Sequence, residues 1–426
     1  MTSSNAPSQA SHPLPQVRRR AGKRWAFWAS ASVLALVLWS SGAPSTLYPI
    51  YAAKWQLSPL TITTIFASYP LTLLVILPIF GNLSDWLGRR RVMIAGVALI
   101  AASAIVFALA PHVAFLFIGR ILQGAGAGLA MGAGTAALME NNTASSPRFA
   151  SSMATLSTAT GLTLALVVSG ALAQFFPMPL LWSYVVLLIL SLASIAALLR
   201  APDDNPGQAQ PWRPQAPRLA QGIRMLFSIA TLSVTLSYCV GAIFLSLGAH
   251  MIREFTHTGS TATIGALLGC SAAAIGITAL FLSRIPARAS VWVGAGLTIA
   301  SLGFMAAASS FGSMSLFLGW CVVGGIAYSF AFTGGLGLIN QAVPHQHRGA
   351  TLSLLYLIAY AFQAGTAIGV GALATSFSLS TAVSSAALSL AGLSISLLVL
   401  MTIASGRGRT AHDTEAPAST ASRIEF

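Results

Sequence analysis

Long apolar runs broken by short polar interruptions set the pattern of this chain. Stretches such as 60–80 and 92–110 exceed the roughly 18 apolar residues that mark a helix able to cross a bilayer. Twelve such runs are read, at about 25–48, 60–80, 92–110, 113–139, 149–175, 180–199, 225–250, 261–282, 291–309, 313–341, 349–376 and 380–403. They are too long and continuous for barrel strands, and an open sheet would leave backbone groups unsatisfied in hydrocarbon. The pattern predicts an all-α polytopic membrane protein. One long polar break, 201–222, carries Pro202, Pro206, Pro211, Pro214 and Pro217. It divides a six-helix bundle over 25–200 from another over 223–404, with irregular tails expected over 1–24 and 405–426.

Composition supports lipid as the main solvent. Charged residues make up 7% of the chain, hydrophobic residues 55%, and mean hydropathy is +0.78. A soluble domain carries about 25% charged residues. The net charge of +14 does not point to nucleic acid, because the basic residues sit between the apolar runs and in the tails. Nineteen of the 22 lysines and arginines fall on the side shared by the two ends of the chain. Lys54 and Arg253 fall on the other side, and Arg120 lies within a span. Positive charge stays inside, so both termini are expected in the cytoplasm of a cell, with a bacterial inner membrane as the first expectation. The basic stretch Arg18 to Arg24 before the first run also fits a signal peptide, with Ser41-Gly42-Ala43 as a cleavage site; a cytoplasmic tail before a retained helix is the preferred reading. Cys239, Cys270 and Cys321 all fall in apolar runs and read as small core residues. No residue pattern calls for a metal or a cofactor.

The two halves repeat. Phe117-Ile118-Gly119-Arg120-Ile121-Leu122-Gln123-Gly124 matches Phe317-Leu318-Gly319-Trp320-Cys321-Val322-Val323-Gly324 at an offset of 200. The same offset relates Gly134 to Gly334, Glu140 to Asn340, Arg148 to Arg348 and Ala150 to Ala350. Similar halves joined by a long linker imply a pseudo-twofold axis along the membrane normal.

Between the second and third runs stands Gly81-Asn82-Leu83-Ser84-Asp85-Trp86-Leu87-Gly88-Arg89-Arg90-Arg91. Gly81 and Gly88 permit tight turns and close helix approach. Asp85 at a membrane edge needs a partner, and Arg89 is within reach. A solvated loop that only fixes topology is the plainer reading. The stretch resembles the loop 2–3 signature of the major facilitator superfamily, and with twelve spans and the two-half repeat the resemblance covers the whole membrane domain. It implies two pseudo-symmetric six-helix bundles. It also implies a gate in which Asp85 bridges to the start of the eleventh helix, near Gly349, with Glu140 as a second partner for Arg89, Arg90 and Arg91.

The fourth run carries Arg120, Gln123 and the spaced glycines Gly124, Gly128 and Gly132, which resemble a second motif of that family. The glycines are expected to pack helices. An arginine two turns into a span must face protein or a water-filled cavity, and the family's antiporters link this arginine to proton coupling. Gly170 is what remains of the fifth-helix drug-antiporter pattern, whose proline is missing. Trp39, Tyr48, Tyr51, Tyr69, Tyr238, Tyr328, Tyr356, Tyr360 and Gln363 are candidates to line a cavity, and the first, fourth, seventh and tenth helices line the pathway in the family, which favours Trp39, Arg120, Tyr238 and Tyr328. Tyr48 and Tyr51 are expected in an interfacial belt, and His250 with Glu254 as an exposed helix-end pair. There is no Walker-type loop and no catalytic triad. The expectation is therefore a secondary transporter of a small organic molecule, not an enzyme. It is read as a monomer working by efflux, with protons as the candidate coupling ion. An importer or facilitator of a metabolite and a non-transporting sensor are the alternatives.

Overall fold

The computed structural model describes residues 14–144, 147–202, 223–282 and 284–414. Among them the chain forms only helices: α1 Leu14–Gly42, α2 Tyr48–Trp55, α3 Pro59–Phe80, α4 Leu83–Leu87, α5 Arg89–Ala108, α6 Val113–Glu140, α7 Pro147–Phe175, α8 Trp182–Leu199, α9 Arg224–Thr256, α10 Thr261–Leu282, α11 Ala287–Phe311, α12 Met314–Ala342, α13 His345–Ser376 and α14 Leu379–Thr414. All but α2 and α4 are long and apolar enough to cross a membrane, twelve in number. An even number of crossings puts both chain ends on one face, called here the basic end. The proline-rich stretch, the far ends of both tails and the Arg148 side chain lie outside what is described.

Boundaries differ from expectation in α1, and in α14, which runs on to Thr414 into the tail expected to be irregular. The first span stops at Gly42, and a compact turn, with Ser45 N–H on the Gly42 carbonyl and Leu47 N–H on the Pro44 carbonyl, leads into the separate helix α2. Pro44 has no N–H with which to continue a helix. At the other end α1 reaches back to Leu14, into the stretch expected to be irregular.

The spans form two six-helix bundles. One buried core draws chiefly on α1 to α8, the other chiefly on α9 to α14. Each bundle packs its helices through small residues. Gly96 on α5 meets the Gly126 carbonyl of α6, and Gly294 on α11 meets Ala331 of α12, the corresponding crossing of the second bundle. Without a hydrophobic drive between helices in lipid, such backbone approach supplies the dispersion contact that holds them.

The bundles meet along two seams, α7 against α10 and α3 against α13. At the end opposite the termini, both seams are fastened by a side chain that caps the other bundle's helix. The Leu60 N–H of α3 donates to Thr375 Oγ1 of α13 at 2.9 Å. The Thr261 N–H of α10 donates to Gln174 Oε1 of α7 at 2.9 Å. At the basic end α4 packs on α5 and α6, and the space beside Gly349 at the start of α13 is open.

Candidate transport site and gate

The charged loop closes on its own bundle. Asp85 on α4 pairs with Arg89 one helical turn on. Arg89 also donates through Nη2 to Glu140 Oε1 at 3.1 Å and through Nη1 to Ser84 Oγ at 2.6 Å. Arg90 donates to the Leu199 carbonyl at 2.9 Å and so satisfies an orphan acceptor at the end of α8. Arg91 is exposed. Among the described residues the expected bridge from Asp85 to the start of α13 does not occur, and the Asp85 side chain is 60% exposed. The two glycines also divide in role. Gly88 has φ 91°, a conformation costly to any residue with a Cβ, whereas Gly81 has φ −58° and an ordinary helical backbone.

Two turns into α6 from the far end stands Arg120, fully buried. Its Nη1 donates to Gln123 Oε1 at 3.0 Å and to the Ser41 carbonyl at 3.2 Å. The carbonyl is available because α1 ends there, and the negative end of a helix favours a cation. The guanidinium lies over the rings of Tyr69, 4.9 Å from its centroid, and Phe66, 5.4 Å. Two desolvated cation–π contacts at about 2 kcal/mol each are comparable with the roughly 3 kcal/mol that insertion scales assign to a central arginine. Gln123 and Arg120 are thus brought together, as their i, i+3 spacing allows. Phe66 was not singled out from sequence; its i, i+3 relation to Tyr69 on α3 is the signal that marks it.

The second bundle faces this cation with rings. Tyr238 of α9 lies 5.0 Å from Tyr360 and 6.5 Å from Tyr356, both on α13, and 5.9 Å from Phe332 on α12. Phe332 in turn stacks on Tyr328 at 5.8 Å. Tyr360 packs against the cores of both bundles. Tyr238 and Tyr328 therefore meet through Phe332, a residue the sequence reading missed because one phenylalanine in an apolar run carries no signal. Gln363, on α13, keeps its Oε1 buried without a partner among the described residues. Trp39 is packed in the core of the first bundle, with a buried Nε1 in the same condition.

Several expectations are corrected by burial. Tyr48 and Tyr51 are each 1% exposed and not interfacial, because the kinked start of α2 turns them into the first bundle. Tyr51 there meets the Tyr184 hydroxyl at 3.4 Å. Burial pushes both phenols above their usual range, with Arg120 drawing Tyr48 partly back, so both stay neutral. Cys270 faces outward, whereas Cys239 and Cys321 are buried. Among the spaced glycines, Gly124 and Gly128 press on α3 at Thr72 and Ile76, but Gly132 is exposed and makes no tight approach. Gly170 lies on the seam, where a Cβ would come within 2.9 Å of Gly265 Cα on α10. His250 and Glu254 do pair, at 3.4 Å, beside a small crevice on the far-end seam lined by Tyr48, Leu57 and Leu247.

Comparison with known proteins agrees with this architecture. Two solved transporters share the fold. A bacterial homologue of the human lysosomal transporter Spinster, in an inward-facing, unoccupied conformation, superposes with a TM-score of 0.69 at 14% identity, covering 89% of this chain and 96% of its own. The nucleoside transporter NupG superposes with a TM-score of 0.67 at 15% identity, covering 89% and 98%. Curated relatives include a putative multidrug resistance protein MdtD of Pectobacterium atrosepticum, 26% identical over 42% of this chain. An MFS-type efflux pump MMF1 of Pseudozyma antarctica is 32% identical over 26% of it. The matched stretches span 37% and 21% of those relatives' lengths. Residues 28–354 match the family model described as Major Facilitator Superfamily. With most of its length inside that match and its twelve spans in two bundles, the chain is a multi-pass membrane protein that belongs to the major facilitator superfamily of transporters.

Proposed function

We propose that the chain exports a small organic molecule by alternating access, with the basic end in the cytoplasm of a bacterium. The carrying observation is the arrangement of the two bundles. They are fastened at the far end by Thr375 and Gln174, with open space beside Gly349 at the basic end and with Arg120 and a ring cluster between the two ends. On this reading the conformation faces inward. Arg120, Gln123, Trp39, Tyr238, Tyr328 and Gln363 surround the cargo path.

Transport requires the reverse arrangement as well. When the bundles rock, the start of α13 approaches α4, and Asp85 exchanges part of its contact with Arg89 for the α13 N-terminus, whose dipole favours an anion. Glu140 holds Arg89 in place during the exchange. The efflux direction is supported by the relatives named for multidrug resistance and efflux. Among the described residues no carboxylate lies at mid-depth, which favours facilitated movement as the second reading.

Flux into proteoliposomes of known orientation tests this. Accumulation that follows an imposed pH gradient supports proton-coupled export, equilibration without accumulation supports the facilitator, and no flux with any ligand that stabilises the purified protein overturns transport.

A further inference from the structure

The guanidinium of Arg120 has two chemically distinct sides. Its Nη1 is engaged by Gln123 and by the Ser41 carbonyl. Its Nε and Nη2 are buried and have no partner among the described residues. These two nitrogens form the side-on edge that receives both oxygens of a planar oxyanion through parallel hydrogen bonds. The neighbouring groups are donors too. Gln123 Nε2 is buried and without a partner, because its oxygen faces Arg120. The Tyr48 hydroxyl is in the same condition and lies close enough to feel the Arg120 charge. A cluster of buried donors around one cation, with the described carboxylates Asp85, Glu140 and Glu254 at helix ends, is the complement of an anion. A buried donor left unpaired costs about 1–3 kcal/mol, so the site gains by filling that edge.

The surroundings extend the description. Tyr69 lies by Arg120 in the first bundle. Across the α3–α13 seam Tyr360, Tyr238, Phe332 and Tyr328 form a row with successive centroids within 6 Å, and Tyr360 also packs against the core of the first bundle. Such spacings put these rings in contact with one another, so a ligand ring gains by offset or edge contact alongside the row and not between its members.

We infer that this transporter takes aromatic carboxylates, with the carboxylate seated on the Nε/Nη2 edge of Arg120 and the ring against Tyr69, Tyr360 and Tyr238. The inference rests on the transport reading for the cargo path, but the binding site stands on its own geometry.

The test uses the purified full-length protein at constant ionic strength, with 2-naphthoate, cyclohexanecarboxylate, 2-naphthylmethanol, 2-naphthylmethylammonium and nitrate as probes, by calorimetry and thermal shift. Naphthoate is expected to bind at least about tenfold tighter than the alcohol or the ammonium, the equivalent of one charge-assisted hydrogen bond. Arg120→Lys keeps the charge and loses the fork, and weakens naphthoate by about tenfold. Gln123→Glu places a carboxylate beside Arg120 and abolishes naphthoate binding without removing the cation, which covers the case in which the lysine variant does not fold. Tyr238→Leu removes the preference for naphthoate over cyclohexanecarboxylate and leaves nitrate unaffected. Equal binding of the ammonium, or naphthoate binding unchanged in both Arg120→Lys and Gln123→Glu, overturns the site. Nitrate binding without naphthoate binding overturns the aromatic cargo and leaves an inorganic anion. Tight Arg120-dependent naphthoate binding without naphthoate flux counts against transport and keeps the site. Flux of the ammonium without carboxylate binding does the reverse.

Discussion

The two caps at the far end make a measurable claim about the conformational equilibrium. Leu60 and Thr261 each lie in the first turn of a helix, where the backbone N–H has no partner within its own helix. Each is satisfied by the opposite bundle, through Thr375 and Gln174. The pairs are related by the internal repeat, since each joins the end of a bundle's fifth span to the start of the other bundle's second. They break whenever the far end opens. Capping bonds contribute about 0.5–2 kcal/mol. Both sites are exposed, so water competes and the low half of that range applies. Removing both with Gln174→Ala and Thr375→Val therefore costs the closed far end about 1–2 kcal/mol, a shift of roughly 5- to 30-fold in the ratio of closed to open. Spin labels on cysteines placed at Lys54 and Arg253, in a background with Cys239, Cys270 and Cys321 replaced, report the distance across that end by pulsed electron resonance. Each single variant is expected to give about half the free-energy shift of the pair, because the two seams share no side chain. A double variant whose distance distribution matches the parent within twofold would refute the reasoning, and so would a shift toward the closed form.

Three further outcomes follow from the same geometry. Asp85→Asn, proposed to disable the basic-end gate, is expected to keep near-normal expression and lower the flux rate by about tenfold, in line with loss of one charged contact; unchanged flux would reduce the loop to a topology signal. Gly88→Ala places a Cβ at φ 91° and is expected to cost about 1–3 kcal/mol, read as a lowered midpoint in thermal unfolding. Gly170→Val forces the α7–α10 seam apart, where Gly265 approaches. An overpacking cost of about 1–3 kcal/mol should appear as a lower unfolding midpoint together with slowed flux, and wild-type behaviour in both assays would show that the seam is loosely packed.

Much of the fold is legible because the bilayer permits few solutions. Once residues 60–80 or 92–110 are apolar throughout, the backbone must satisfy itself within each segment, and helices result. Counting runs and placing arginines then gives the twelve spans. The internal repeat, anchored on Phe117 to Gly124 and Phe317 to Gly324, gives the two bundles. The glycine-bracketed loop is legible too, because charge is so scarce that Asp85 and Arg89 have few partners to choose between.

Tertiary structure decided what depends on facing. A run of apolar residues does not say which side of a helix meets protein, so Tyr48 and Tyr51 look interfacial and are buried, while Gly132 looks like packing and is exposed. Nor does sequence give the state of the bundles. Asp85 pairs with Arg89 in its own bundle, and on the proposed gate it meets the start of α13 only when the basic end closes. For Arg120, the sequence by itself determined that an arginine stands in a span without a nearby acid. Only the folded arrangement decided which of its nitrogens are spent on Ser41 and Gln123 and which edge is left to a ligand, because hydrogen bonds are directional and their partners come from helices distant in the chain.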